Sequence, residues 1–329
     1  MSRTAMVRMI ADRVKSADTQ SDKADVLRYY EKESLFKRIL SYAYNPMINF
    51  GLDDWEPRAG AGVINGMGIS KFMHIPEDIF QNKFTRDESI FACNLAISHM
   101  NIDEVDLFVG IMHKDLGLGL EIQTINQVWP DLIPSYPLQT PSEFTDEAFS
   151  RFEFPFVAQT MSTGLRVNII VRGNTVEFRQ SDGTLITGWE RYVEQFSKLA
   201  QNGANVFDGH AVVVNETSDV IETDNQKVLA ADPANIRFIL WDVVRYDGFV
   251  QGYDQRIGYN WRYNGLEHMM FLAIDSNPQP CYKTPEQSVC ATLEQAHEFA
   301  KTNDLVLKSL SGTWATGPSD STLILRRSK

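Results

Sequence analysis

Two apolar runs in the second half of the chain limit its fold more than any other feature. NVFDGHAVVV (residues 205–214) and IRFILWDVV (236–244) are almost uninterrupted. Strands with so little polar alternation suit a sheet covered on both faces. The region around them is written with a period of two. LRVNIIV (165–171) sets Val167, Ile169 and Val171 against Asn168 and Ile170. Arg172-Gly173-Asn174 turns the chain, TVEF (175–178) returns, and Ser181-Asp182-Gly183 turns it again. TGWERYVEQFSKLA (187–200) predicts an amphipathic helix with Trp189, Tyr192, Phe196 and Leu199 on one face. A helix at TLEQAHEFAKTN (292–303) and short strands at LVLKSL (305–310) and TLILRR (322–327) follow.

The first part of the chain speaks in helices. Between Asp25 and Tyr44, Leu35, Ile39 and Ala43 recur at helical spacing with Glu31, Lys32 and Lys37 between them. Thr85-Arg86-Asp87-Glu88 is a capping box ahead of Ile90-Phe91-Ala92, and Asn101-Ile102-Asp103-Glu104 starts a helix carrying Val105, Leu107 and Phe108. Pro130 and Pro134 end this region, and PSYPLQTPSEF (134–144) reads as an extended linker. The expected layout is a helical domain over 1–135, a linker over 136–150, and an α+β domain of antiparallel sheets flanked by helices over 151–329.

A net charge of −12 argues against a surface coated in positive potential. Cys93, Cys281 and Cys290 are too few and too scattered for a disulfide framework or a zinc site, and the six histidines show no ligand spacing. No stretch approaches the roughly 20 apolar residues of a spanning helix, so the expectation is a cytoplasmic protein with reduced thiols, no membrane partner and no metal.

Taken in order, several stretches resemble the motifs of ATP-dependent DNA ligases, a branch of the covalent nucleotidyltransferases, in their T-even bacteriophage form. FPFVAQTMSTGLR (154–166) falls where that family carries K-x-D-G-x-R; NVFDGHAVV resembles its D-G-E strand, and FILWDVV its aromatic-Asp strand. NDLVLKS (303–309) lies where the family has E-G-x-x-x-K, and TLILRR where it has K-x-K. SLFKRILSYAYNP (34–46) and DLGLGLEIQTINQVWPDLIP (115–134) are similar to the helical DNA-binding part and the segment that joins it to catalysis.

The resemblance implies a function and also withdraws it. Met161 stands at the nucleophile lysine, and a thioether has no N–H to lose and forms no phosphoramidate. Thr163 replaces the motif aspartate, His210 the glutamate near the ribose, Asn303 the glutamate of E-G, and Leu325 the first lysine of K-x-K. An OB-fold domain is expected to be absent, since none follows Lys329. The expectation is therefore a pseudoenzyme with no catalytic residues, needing ATP and Mg only if activity is retained. The implied nucleotide contacts are Arg166, Arg179, Trp241, Lys308 and Arg327, and the implied DNA contacts are Arg38 and Lys114. Each has a plainer alternative. Met161 and Trp241 would equally serve as core, the arginines and Lys308 as solvated strand residues, and Lys114 as a fixture of a helix end. Arg3, Arg8, Arg13, Lys15, Lys23, Arg28, Lys32, Lys37 and Arg38 crowd the first forty positions, either as a weak, salt-sensitive grip on duplex or nicked DNA or as a solvated face. A scaffold that contacts another phage or host protein is the alternative function; a ligase using a different lysine is the third.

Overall fold

The computed structural model describes residues 3–52, 55–57, 67–81, 83–201, 203–273, 280–300 and 303–326. They divide into two compact units, Met1–Ser135 and Tyr136–Lys329.

The first unit is helical: α1 (Arg3–Lys15), α2 (Gln20–Tyr29), α3 (Ser34–Tyr44), α4 (His74–Phe80), α5 (Arg86–Ile97), α6 (Ile102–Met112) and α7 (Ile122–Val128). Both capping boxes form at the expected residues, Thr85 with Glu88 and Asn101 with Glu104. Val7, Ile10, Leu27, Phe36, Ile39, Phe108 and Ile111 make a common core from the apolar faces. The periodic stretch 25–44 is not one helix. It breaks between Tyr29 and Ser34, where the indole of Trp129 donates to the carbonyl of Glu31 at 3.0 Å, a carbonyl that a continuous helix would have used internally.

The second unit begins with β1 (Gln139–Glu143), α8 (Asp146–Ser150), β2 (Phe156–Thr160), β3 (Leu165–Arg172), β4 (Thr175–Gln180) and β5 (Leu185–Ile186). There follow α9 (Val193–Leu199), β6 (Ala204–Val214), β7 (Val220–Glu222), α10 (Asn225–Ala230), β8 (Ile236–Arg245), α11 (Tyr246–Gln251) and β9 (Tyr253–Asp254). It ends with α12 (Tyr259–Ala273), β10 (Tyr282–Lys283), β11 (Gln287–Cys290), α13 (Leu293–Ala300), β12 (Leu305–Ser309), β13 (Trp314–Ala315) and β14 (Gly317–Leu325). One large sheet runs β10-β8-β6-β3-β4-β5 with β7 beside β6, a second runs β1-β14-β12-β2-β11, and β9 pairs with β13 apart from both. This is the α+β architecture that the strand patterns predict, with one difference: the edge pairs β1–β14 and β10–β8 are parallel. The proline-rich stretch is no linker, because Gln139–Glu143 adds to the sheet beside β14. Pro141 is tolerated there because β1 is an edge strand, whose outward side needs no donor.

Each large sheet packs its outer face on helices. Phe178, Phe207, Phe238 and Leu240 meet Phe196 of α9 and Leu266 of α12, while Phe156, Leu305, Leu307, Leu323 and Leu325 meet Ala296 of α13 and the partly buried Phe149 of α8. Side chains on the opposite faces, among them Arg166, Asp208, His210 and Lys308, line a pocket. Asn168 and Ile170 show why alternation was only a partial guide, since both are buried although they face away from the helices.

Candidate functional site

The pocket has a volume of about 240 Å³ and takes side chains from β1, β2, β3, β6, β8, β12 and β14. Strand alternation decides which residues reach it. On β12 and β14, Lys308 pairs with Thr322 and Val306 with Ile324, and all four line the pocket. Their neighbours Leu305, Leu307, Leu323 and Leu325 point into the helix-covered core. Leu325, expected at the place of the first lysine of K-x-K, therefore faces the core and not the pocket. Ile324 is the pocket-facing position, one residue away, and a one-residue step on a strand changes face.

Met161 does reach the pocket. It follows β2, half-buried, with its backbone N–H donating to the carbonyl of Asp304 at 2.9 Å. Its Sδ accepts from Arg326 Nη1 at 3.9 Å, and the same guanidinium reaches Asp304 at 3.4 Å and Glu143 at 3.3 Å. Met161 is thus a wall residue and not core packing. Thr163 is exposed and Asn303 is exposed, and neither lines the pocket. Arg327 lies outside the described residues.

A β-bulge presents the aromatic wall. Asp208 of β6 pairs with Asp242 of β8, but its neighbour Gly209 pairs with Leu240, so Trp241 has no partner of its own across the ladder. Before the bulge Ile236, Phe238 and Leu240 face the core; beyond it Val243 does, and both Trp241 and Asp242 line the pocket. Gly209 is needed at the bulge: a Cβ there would lie 2.4 Å from the carbonyl oxygen of Ile239.

The charges in the pocket are mostly paired. Arg166 grips Asp208 at two points, with Nε to Oδ1 at 3.1 Å and Nη2 to Oδ2 at 2.7 Å, and donates to the Gln139 carbonyl at 2.7 Å. Its guanidinium lies over the Trp241 ring at 5.6 Å. Arg262 of α12 holds Asp242 in the same two-point manner, at 2.9 and 3.0 Å. Lys308 is buried, donates to the Trp241 carbonyl at 3.3 Å and sits 4.4 Å from the centre of the Tyr259 ring. Burial lowers its ammonium to about 8, against the opposing pull of Asp242 and Asp208.

His210 shares a 2.9 Å hydrogen bond with Ser162 and packs edge-on against Trp241. Burial pushes its imidazole down to about 4; Asp208 raises it and Arg166 lowers it further. It is neutral at pH 7, and a base that weak is poorly matched to activating a serine. The pair is a brace. A histidine depressed in the folded state binds fewer protons than in the unfolded chain, so its contribution is complete above about 6.5 and is lost as pH falls toward about 4. Allowing for its partial exposure, that loss is about 2 kcal/mol. Denaturant titrations of the protein and of His210→Gln between pH 7 and pH 4 check this: the variant's curve is expected to be flatter, and parallel curves would refute the assignment.

Three sequence-predicted contacts are engaged elsewhere. Arg179 is buried on β4, where it pairs with Glu177 at 2.7 Å and donates to the Gly183 carbonyl at 2.9 Å, and it does not line the pocket. In the first unit, Lys114 donates to the carbonyls of Tyr42 and Asn45, fixing the end of α6 to that of α3. Arg38 is exposed and meets Glu77 at 3.5 Å and the Met73 carbonyl at 3.1 Å. Within the N-terminal basic cluster, three more are engaged in the same way: Arg8 with Asp12 and Asp106, Arg28 with Asp25, and Lys23 with two backbone carbonyls. Sequence reading missed Gln159, Ser162, Arg262 and Tyr259 as parts of the site. The one available signal was Asp242, a carboxylate inside an apolar strand that must find a buried partner.

This geometry is the fold of the nucleotidyltransferase and ATP-dependent DNA ligase superfamily, with distant homologues among phage ligases. No family model matches the chain. It is 22% identical over 373 residues to the DNA ligase of Enterobacteria phage T6, across 95% of this chain and 74% of that protein. It is 21% identical over 370 residues to the DNA ligase of Enterobacteria phage T4, with the same coverage. The solved structure named Pmar-Lig_Pre superimposes with a TM-score of 0.52 at 16% identity, covering 98% of this chain and 78% of that one. The related Pmar-Lig_PreS3 gives the same TM-score at 15% identity. Among the described residues, no helix is long and apolar enough to cross a membrane, the three cysteines are free and buried, and no metal-holding cluster is found.

Proposed function

We propose that this ligase-fold protein no longer transfers adenylate and that its pocket binds a ligand without strand sealing. Met161 carries the reading. It lines the pocket where the resemblance calls for an attacking amine, and its thioether is already engaged by Arg326. Around it, His210 is neutral and bonded to Ser162, and Asp304 is paired with Arg326. On this reading ATP and Mg would find binding groups at best.

Incubation with α-labelled ATP and Mg, followed by denaturing electrophoresis, is expected to give no covalent AMP adduct. Met161→Lys is expected to give none either, because one amine restores neither the ribose contact nor a free carboxylate. An adduct on the unaltered protein would overturn the reading. Peptide mapping would then point first to Lys308, among the described residues the one lysine lining the pocket.

A second reading, an interaction protein with a phage or host partner, is favoured by the internal pairing of Arg8, Lys23, Arg28, Arg38 and Lys114. Basic groups held this way release few counterions. Binding to nicked duplex is expected to show a log–log salt slope of magnitude about 2 or less. A steep slope would return the first unit to DNA gripping.

A further inference from the structure

Lys308 is the one pocket cation without a counter-ion among the described residues. Arg166 is neutralised by Asp208 and Arg262 by Asp242, each through a two-point pair, whereas Lys308 has a carbonyl and a ring face. An ammonium carries three N–H groups, and a buried charge left unpaired is costly. Pro141, Met161, Trp241, Val306 and Ile324 give the pocket an apolar wall, beside the polar Gln139, Gln159, Thr160, Ser162 and Thr322. Beside Met161 the sign reverses, since the single guanidinium of Arg326 stands between two carboxylates, Asp304 and Glu143. Among the described residues that side carries one cation against two carboxylates, on a chain of net charge −12, which disfavours a polyphosphate.

We propose that the pocket is a receptor for a compact, flat apolar molecule bearing one anionic group, seated with that group on Lys308, and that it turns polyphosphates away. The proposal rests on the reading that Met161 has ended covalent nucleotidyl transfer. The anion supplies the counter-charge that burial withheld from Lys308, and the apolar walls receive the body of the molecule. The groups facing the ammonium are Asp208 and His210 from β6, Arg166 from β3, Asp242 from β8, and Arg262 and Tyr259 from α12. None of the carboxylates is free to replace the ligand, since each holds an arginine at two points. Binding therefore requires a protonated Lys308. Affinity is expected to be level between about pH 6 and pH 8 and to fall about tenfold per unit above it.

Calorimetric titration with indole-3-carboxylate, AMP and ATP tests this, with the protein in magnesium-free buffer. Indole-3-carboxylate is expected to bind, and ATP to bind at least tenfold more weakly. Lys308→Met should fold, because replacing an unpaired buried ammonium by an apolar isostere is neutral or stabilising, and should lose at least tenfold in affinity for the carboxylate. Glu143→Gln with Asp304→Asn should raise ATP affinity and leave that of the carboxylate unchanged. Tighter binding of ATP than of the monoanion, unchanged binding in Lys308→Met, or no binding of any probe would overturn the proposal. A covalent AMP adduct would instead overturn the non-catalytic reading, so the two failures are distinguishable.

Discussion

Arg262→Met is expected to destabilise the second unit by about 3–5 kcal/mol, the cost of stranding a buried carboxylate. Arg262 and Asp242 are each 5% exposed and share two hydrogen bonds, and the same guanidinium also holds the carbonyls of Ile257 and Gly312. Removing it leaves Asp242 in the pocket wall without the guanidinium that holds both its oxygens. Urea unfolding measures the cost. Because a matched apolar pair is often neutral, Arg262→Met combined with Asp242→Leu should recover most of the loss. A single variant that costs less than about 1 kcal/mol would show that this pair does not anchor the wall.

Gly209→Ala should cost about 3 kcal/mol although it adds one methyl group, since it meets backbone and not a yielding side chain. The new Cβ would stand 2.4 Å from the Ile239 carbonyl oxygen and 2.8 Å from Leu240 Cδ2, so β6 and β8 must part at the bulge. Thermal melting reports the loss, and chromatography reports whether the fold survives. An unchanged melting temperature would mean that the bulge accommodates a side chain. Gly164 is bound by the same logic: its φ is +147°, and a Cβ would lie 2.7 Å from the Ala211 carbonyl oxygen. These two glycines match the motif glycines of the ligases, yet here they serve the geometry of the sheet and need no nucleotide to explain them.

Several elements were legible in the sequence because they depend on near neighbours. The capping boxes at Thr85 and Asn101, the turn at Gly173, and the helical face of Phe196 and Leu199 follow from local spacing. The break at 30–33 was not, because it depends on Trp129, about a hundred residues away. Nor was Arg179, which matches a family arginine by position and is consumed by Glu177 two residues earlier on its own strand. The proline-rich stretch 134–144 carried every mark of a linker, and only the open edge of β14 made part of it a strand.

The sequence by itself determined the class of fold, the order of its strands and helices, and the thioether at position 161, because periodicity and chemical type are properties of the chain. Which side chains meet was decided by tertiary structure alone. The bulge at Asp208 and Gly209 turned both Trp241 and Asp242 toward the pocket. Strand register gave the pocket Ile324 in place of Leu325, and two arginine pairs left Lys308 as the unmatched charge. Facing and pairing depend on contacts between residues far apart in the chain, and a one-residue shift in register reverses them.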